Sequence, residues 1–223
     1  MQTPAGILAA GGTGERMAAS LPKQFVTIGG RPVLARSFEV LRAGGCSPIV
    51  VVAPAEHMEL TRSLLSPSAD LAFVTGGATR QDSVRAGLAS IESETVVVHD
   101  AARPFASPEL VRLVVRALSA ADAAVVALPL DETVKRVESG RVVETVDRAG
   151  LWRSQTPQAF RTSVLRQAHD RALREGLVAT DDAQLIEHMG GTVVVVEGSS
   201  ENIKITQPSD LELGEVLAGR SPG

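Results

Sequence analysis

The sequence predicts an α/β fold on three observations. Short, continuous, β-branched runs recur along the chain, segments with helical signals lie between them, and one polar-interleaved hairpin interrupts the alternation. Continuous apolar runs are what a sheet covered on both faces by crossover helices requires, because both sides of each strand are then buried.

In chain order, Ala5 to Ala9 reads as the first strand and Arg36 to Ala43 as a helix. Strands follow at Ile49 to Ala53 and Leu71 to Thr75, then a helix at Gln81 to Ile91 and a strand at Val96 to His99. Ser107-Pro108-Glu109 is a helix start: Ser caps free N–H groups, Pro suits the first turn and Glu complements the dipole, so a helix is expected towards Ala120. Ala123 to Leu128 is the next strand. Thr133 to Val137 and Arg141 to Val146, flanking Glu138-Ser139-Gly140, read as a β-hairpin. Helices are then expected at Ser163 to Arg174 and at Asp181 to Met189, the second capped by Thr180. A strand at Thr192 to Glu197 and a helix at Pro208 to Leu217, with Thr206 as its cap, complete the pattern. The result is a Rossmann-like, mostly parallel sheet flanked by helices. The hairpin is either a protruding arm that meets a second subunit or a solvated hairpin without a partner.

The 223 residues suit one domain, expected to span 1–223 with an arm insertion at about 133–152. A chain this long buries roughly 70 to 75 % of its unfolded surface and needs no staple. One cysteine, Cys46, can form neither an internal disulfide nor a multi-thiolate zinc site, which points to a reducing, cytoplasmic setting. The 22 basic and 26 acidic residues give a net charge of -4, which excludes the broad basic field of a general nucleic-acid binder. Aromatics are 3 % with no Tyr, so a base-stacking platform is not expected. No apolar stretch approaches the ~18 residues of a membrane span, and no basic region precedes the first apolar run as in a secretion signal.

Chemistry concentrates at the ends of the runs. Ala9-Ala10-Gly11-Gly12-Thr13-Gly14-Glu15-Arg16-Met17 follows the first strand, and its glycines either let backbone N–H groups cradle a phosphate or serve a tight turn. The segment has no Lys-Ser/Thr phosphate-loop ending, and Met17 replaces the third glycine of a dinucleotide fingerprint. Arg16 and Lys23, the latter in Leu21-Pro22-Lys23-Gln24-Phe25, place two cations near that mouth, as a triphosphate requires. Val96-Val97-Val98-His99-Asp100-Ala101-Ala102-Arg103-Pro104 ends a buried run in polar groups. Asp100 there suits a magnesium ion, which takes few carboxylates, or else a salt bridge to Arg103 or a helix cap. His99 reads as a buried, satisfied histidine, since no nucleophile motif accompanies it. Gly76 to Ser83 either holds a base or forms a capped turn, and Arg148 and Lys204 are either anion ligands or surface charges.

Together these segments resemble the 2-C-methyl-D-erythritol 4-phosphate cytidylyltransferases, a family of nucleotidyltransferases. The resemblance runs, in order, through the glycine segment ending Arg16-Met17, Pro22 to Phe25, Gly76 to Ser83, His99 to Pro104, Thr145 to Trp152, Thr156-Pro157-Gln158 and Asn202 to Thr206. It implies that Arg16 and Lys23 stabilise the transition state and that Arg148 and Lys204 position the methylerythritol phosphate. It further implies phosphosugar contacts at Arg103, Thr133 and Thr156, nucleotide contacts at Ala10, Gly11, Gly12, Gly14, Gly76, Gly77 and Ser83, and Mg2+ on Asp100. By the same resemblance the substrates are CTP and a polyol phosphate, and the enzyme is a homodimer whose hairpin arm brings Thr133 and Arg148 to the neighbouring site. Glu201 stands where the family pattern has Asp, and it is assigned no role. The motifs overlap with ribitol 5-phosphate cytidylyltransferases, and a non-catalytic CTP-binding module on the same fold is the reading from another class.

Overall fold

The computed structural model describes residues 2–11, 22–65 and 67–220. A seven-stranded sheet carries the fold. Its strands are β1 (Ala5–Ala9), β4 (Ile49–Ala53), β5 (Leu71–Thr75), β6 (Thr95–Asp100), β7 (Ala123–Pro129), β10 (Trp152–Arg161) and β11 (Val193–Glu197). They lie side by side in the order β11-β7-β10-β6-β1-β4-β5. All neighbours pair in parallel except β10, which runs antiparallel to β6 and β7. Two short strands, β2 (Thr27–Ile28) and β3 (Arg31–Pro32), form a separate ribbon.

Alternation along the strands divides the core. Leu8, Val51, Val97 and Val126 face one layer, with Leu34, Phe38 and Leu41 of α1 (Val33–Ala43) and Val111 and Val114 of α4 (Pro108–Ala117). Ile7, Val52, Val98 and Val125 face the other, with Val84 and Leu88 of α3 (Arg80–Leu88), Leu165 of α5 (Thr162–Glu175) and Leu185 of α6 (Asp182–His188). Each such aliphatic side chain stabilises the fold by about 1.5–3 kcal/mol when fully buried, so the continuous runs explain the two-sided cover. Among the described residues the remaining α-helices are α2 (Met58–Ser63) and α7 (Pro208–Arg220).

Helix starts follow local chemistry. Ser107 accepts from the Leu110 N–H with Pro108 in the first turn of α4, as expected. Thr79 and Asp82 form a reciprocal capping box on α3. Two expected caps differ. Asp181, not Thr180, caps α6 by accepting from the Gln184 N–H, because Thr180 spends its N–H and hydroxyl on the Gln184 side-chain oxygen. Thr206 likewise donates its N–H and hydroxyl to Asp210, whose carboxylate also takes the Gln207 N–H.

The expected hairpin is β8 (Val134–Glu138) with β9 (Arg141–Val146), a two-stranded sheet of its own. Ser139 and Gly140 turn it with φ of 48° and 77°, the left-handed pair that matches strand twist in a tight hairpin. Of the seven strands in the main sheet, the one that the sequence did not announce is β10. Its polar residues hide it, and Pro157 falls at the register shift between Gln155 and Gln158, where a missing N–H is tolerated.

Candidate active site

The site forms where strands end. Ala9 of β1 lies in register with Asp100 of β6, and the chain continues from there through Ala10 N–H to the Val52 carbonyl at 2.8 Å and Ala101 N–H to the Ala9 carbonyl at 3.0 Å. Buried Gln24 donates from Nε2 to the Ala10 carbonyl at 2.9 Å, which ties the Lys23 turn to the end of β1. Because β10 is antiparallel, its beginning lies at this same end. Thr156 Oγ1 accepts from the Asp100 N–H at 3.0 Å.

Asp100 is the centre of charge. Arg80 Nε donates to its Oδ1 at 3.0 Å, Lys204 Nζ donates to its Oδ2 at 2.6 Å, and Arg103 Nε stands 4.0 Å from Oδ2. Burial alone would push this carboxyl up, but Arg80, Lys204 and Arg103 outweigh burial and hold it well below the usual carboxylate range. Arg80 reaches onward: its Nη1 donates to Asp182 Oδ2 at 2.7 Å, and His169 Nε2 donates to Asp182 Oδ1 at 3.1 Å. Burial opposes the charge on Arg80, and the two carboxylates more than restore it, keeping the guanidinium firmly protonated.

His99 has a holding role. Its Nε2 lies 3.1 Å from the Arg103 carbonyl and its Nδ1 3.0 Å from Thr156 Oγ1. Burial lowers its pKa to about 4, so the ring is neutral. A carbonyl only accepts, so Nε2 carries the hydrogen and Nδ1 accepts from the Thr156 hydroxyl. Arg103 is fixed through Nη1 to the Asn202 carbonyl at 2.9 Å, while Asn202 Nδ2 donates to the Thr156 carbonyl at 2.9 Å and to Gln155 Oε1 at 3.1 Å.

Two cavities meet at this cluster. One, of about 300 Å³, is lined by Ala9, Ala10, Gly11, Lys23, Gln24 and Ser83 and bounded by Arg80, Asp100 and Lys204. The other, of about 230 Å³, shares Arg80, Asp100 and Lys204 and adds Arg103, Thr156, Gln158, Thr180 and Asp181. The sequence-derived residues therefore divide. Lys23, Ala10, Gly11 and Ser83 line the first cavity, Arg103 and Thr156 the second, and Asp100 and Lys204 both. Gly76 and Gly77 instead line a third cavity of about 670 Å³ with His169 and Arg166. A Cβ on Gly77 would stand 2.3 Å from the Asp82 Cβ, so the close turn into α3 requires glycine there. Thr133 and Arg148 are exposed at the base of the hairpin, where Arg148 Nη1 donates to the Asp131 carbonyl, and neither lines the two cavities at Asp100. Gly12, Gly14 and Arg16 lie outside the described residues.

Magnesium is expected on Asp100, and a divalent ion binding there directly would have to displace Arg80 or Lys204 from its oxygens. Both carboxylate oxygens are engaged by cationic side chains, and a divalent ion would face Arg80, Lys204 and Arg103 at once. Among the described residues no cluster of three or more His, Cys, Asp or Glu side chains offers another direct site. Glu201 is exposed, with its backbone N–H donating to Ser199 Oγ. Arg80, Asp182 and His169 are the residues that sequence reasoning missed. Arg80 sits inside the Gly76 to Ser83 segment, but its Asp182 partner is 102 positions away, and no spacing in the sequence announces that pair.

A family model described as 2-C-methyl-D-erythritol 4-phosphate cytidylyltransferase matches residues 5–220. The proteins of that name from Bacillus velezensis and Syntrophotalea carbinolica are each 42 % identical to the chain. The first alignment covers 97 % of this chain and 96 % of the relative, the second 95 % and 94 %. The crystal structure of the Thermus thermophilus protein of the same name superposes with a TM-score of 0.82 at 38 % identity, covering 98 % of this chain and all of that one.

Proposed function

The chain belongs to the 2-C-methyl-D-erythritol 4-phosphate cytidylyltransferase family, and from that membership we infer that it transfers CMP from CTP to 2-C-methyl-D-erythritol 4-phosphate, in the non-mevalonate route to isoprenoids. The observation that carries the reading is the Asp100 cluster, whose cations stand between two adjoining cavities.

The chemistry is a displacement at the α-phosphorus of CTP by the phosphate of the polyol, with pyrophosphate leaving. A phosphate monoester has a second pKa near ~6, so the nucleophile is already a dianion at neutral pH and needs no base. Neutral, buried His99 is consistent with that, since it holds Thr156 and the Arg103 carbonyl rather than a reacting proton. The barrier is repulsion between two polyanions, which positioned cations lower. Lys23 and the Ala10-Gly11 backbone serve the triphosphate, Arg103 and Lys204 the polyol phosphate, and Thr156 belongs to that side by resemblance alone, its hydroxyl proton being held by His99. Arg16 and the glycines Gly12 and Gly14 belong to the triphosphate side by resemblance alone. Gly76, Gly77 and Ser83 serve the base by the same resemblance. A divalent cation such as Mg2+ is taken to arrive with the triphosphate, whose oxygens and water complete its shell.

The hairpin is assigned to a homodimer interface. Val137, Val142 and Val143 are more than half exposed on it, and Thr133 and Arg148 lie away from this chain's own cavities, as an arm that completes a partner's site requires. Residues 1–223 act as one nucleotidyltransferase domain with this insertion. No helix among the described residues is long and apolar enough to cross a membrane. The cytoplasmic setting is proposed from the lone cysteine, Cys46, which is free and buried.

The test is pyrophosphate release from CTP and magnesium with methylerythritol phosphate or ribitol 5-phosphate at equal concentration. Release with the first alone is expected. Preference for ribitol phosphate reassigns the substrate, and CTP binding without release reassigns the protein to a binding module.

A further inference from the structure

Asp182 is a carboxylate with 1 % of its surface exposed, and an ionised group at that depth is expensive unless its partners are charged and well aligned. Burial disfavours its charge, yet Arg80 and His169 keep its pKa below the usual range. Both oxygens are used, Oδ2 by Arg80 Nη1 at 2.7 Å and Oδ1 by His169 Nε2 at 3.1 Å. The opposite edge of the same guanidinium donates from Nε to Asp100 Oδ1 at 3.0 Å. The guanidinium is planar, so a grip on both edges fixes its plane. The capping box on Thr79 and Asp82 fixes the backbone from which Arg80 springs. Asp182 thereby sets the tilt of Arg80, Arg80 sets Asp100 Oδ1, and the second oxygen of Asp100 is presented to Lys204.

We infer that His169 and Asp182 are positioning residues for nucleotidyl transfer, acting through Arg80 on Asp100 at the wall between the two cavities. The inference rests on the function proposed above. A purely structural role, joining α5 to α6, would act on stability and would not depend on Arg80. A positioning role disappears once Arg80 can no longer bridge the two carboxylates.

The experiment is a mutant cycle read in kcat and KM, with thermal unfolding alongside. Asp182→Asn preserves shape and is expected to lower kcat by about 10- to 100-fold, the scale of a small misplacement at a reacting centre, with the KM for CTP little changed. In an Arg80→Met background the same change is expected to leave kcat where Arg80→Met alone has put it. Losses that multiply independently overturn the inference, as does normal kcat in folded Asp182→Asn. Should that variant not fold, His169→Leu is expected to lower kcat and His169→Gln, whose amide keeps a donor for Asp182, to restore most of it. Equal losses in the two overturn the inference. Wild-type protein assayed in parallel separates the two levels: a wild type that turns over while the cycle is additive removes only the positioning role, and one that releases no pyrophosphate removes the function and this role together.

Discussion

The hydroxyl of Thr156 stands 3.0 Å from Nδ1 of His99, and it is the donor of that bond. The same oxygen accepts from the Asp100 N–H, so one side chain of β10 satisfies two buried groups of β6. Thr156→Val retains the shape and removes both bonds. Unpaired buried donors and acceptors cost about 1–3 kcal/mol, and a loss of that size is expected in urea unfolding. Thr156→Ser is expected to recover most of it, and equal stability for Val and wild type would remove the bridging role.

Acid should weaken the fold through His99. Its pKa falls from 6.5 to about 4 on folding, chiefly because the ring is buried. The unfolded chain therefore binds more protons between those values, so the His99 contribution is complete above pH 6.5 and is lost as pH falls towards 4. The loss is on the order of 3 kcal/mol. Urea midpoints measured across this window are expected to fall with pH, and His99→Gln to flatten the slope. An unchanged slope in that variant would count against the assignment.

Lys23→Ala is expected to lower turnover by at least ~100-fold, the scale of one lost electrostatic contact in a preorganised site. Near-normal turnover in a folded variant would remove Lys23 from the machinery. Lys204→Met is expected to act on the other substrate, raising the KM for the polyol phosphate by roughly 10-fold or more, as loss of a charged hydrogen bond does. A change confined to the KM for CTP would place Lys204 on the wrong side of Asp100.

The pieces of the candidate site are contiguous motifs at strand ends, which is why they can be read in the sequence. Ala10-Gly11, Lys23, Asp100 and Lys204 stand out locally, Arg103 and Thr156 enter through the family resemblance, and folding brings them to two adjoining cavities. What escaped was what only tertiary structure creates. Strand β10 is polar and holds a proline, so neither periodicity nor propensity revealed it, although it delivers Thr156 to Asp100. The Asp182 link to Arg80 is invisible for the same reason, since a buried acid in sequence looks like any helix-start acid. The sequence showed the Asp100 carboxylate without the cations that converge on it, because Arg80 and Lys204 reach it only through the fold.

Mixed subunits test the arm. Lys23→Ala and Arg148→Ala chains, unfolded together and refolded as a mixture, are expected to regain turnover that neither preparation has alone, because one site of each hybrid would draw Lys23 and Arg148 from unaltered chains. Failure to complement would return Arg148 to the service of its own chain or of none.

The order of strands divides the sheet at one seam. Strands β1, β4, β5 and β6 come from the first hundred residues, β7, β10 and β11 from the later chain, and within the sheet the two sets pair where β10 meets β6. Asp100 lies on one side of that seam, while Thr156, Asp182 and Lys204 arrive from the other. A nascent chain that has completed only the first half owns the glycine-rich segment and the central carboxylate, yet lacks the groups that neutralise and orient it from across the seam. Activity consequently reports on the docking of the two halves, and there is no working site in a half-built molecule.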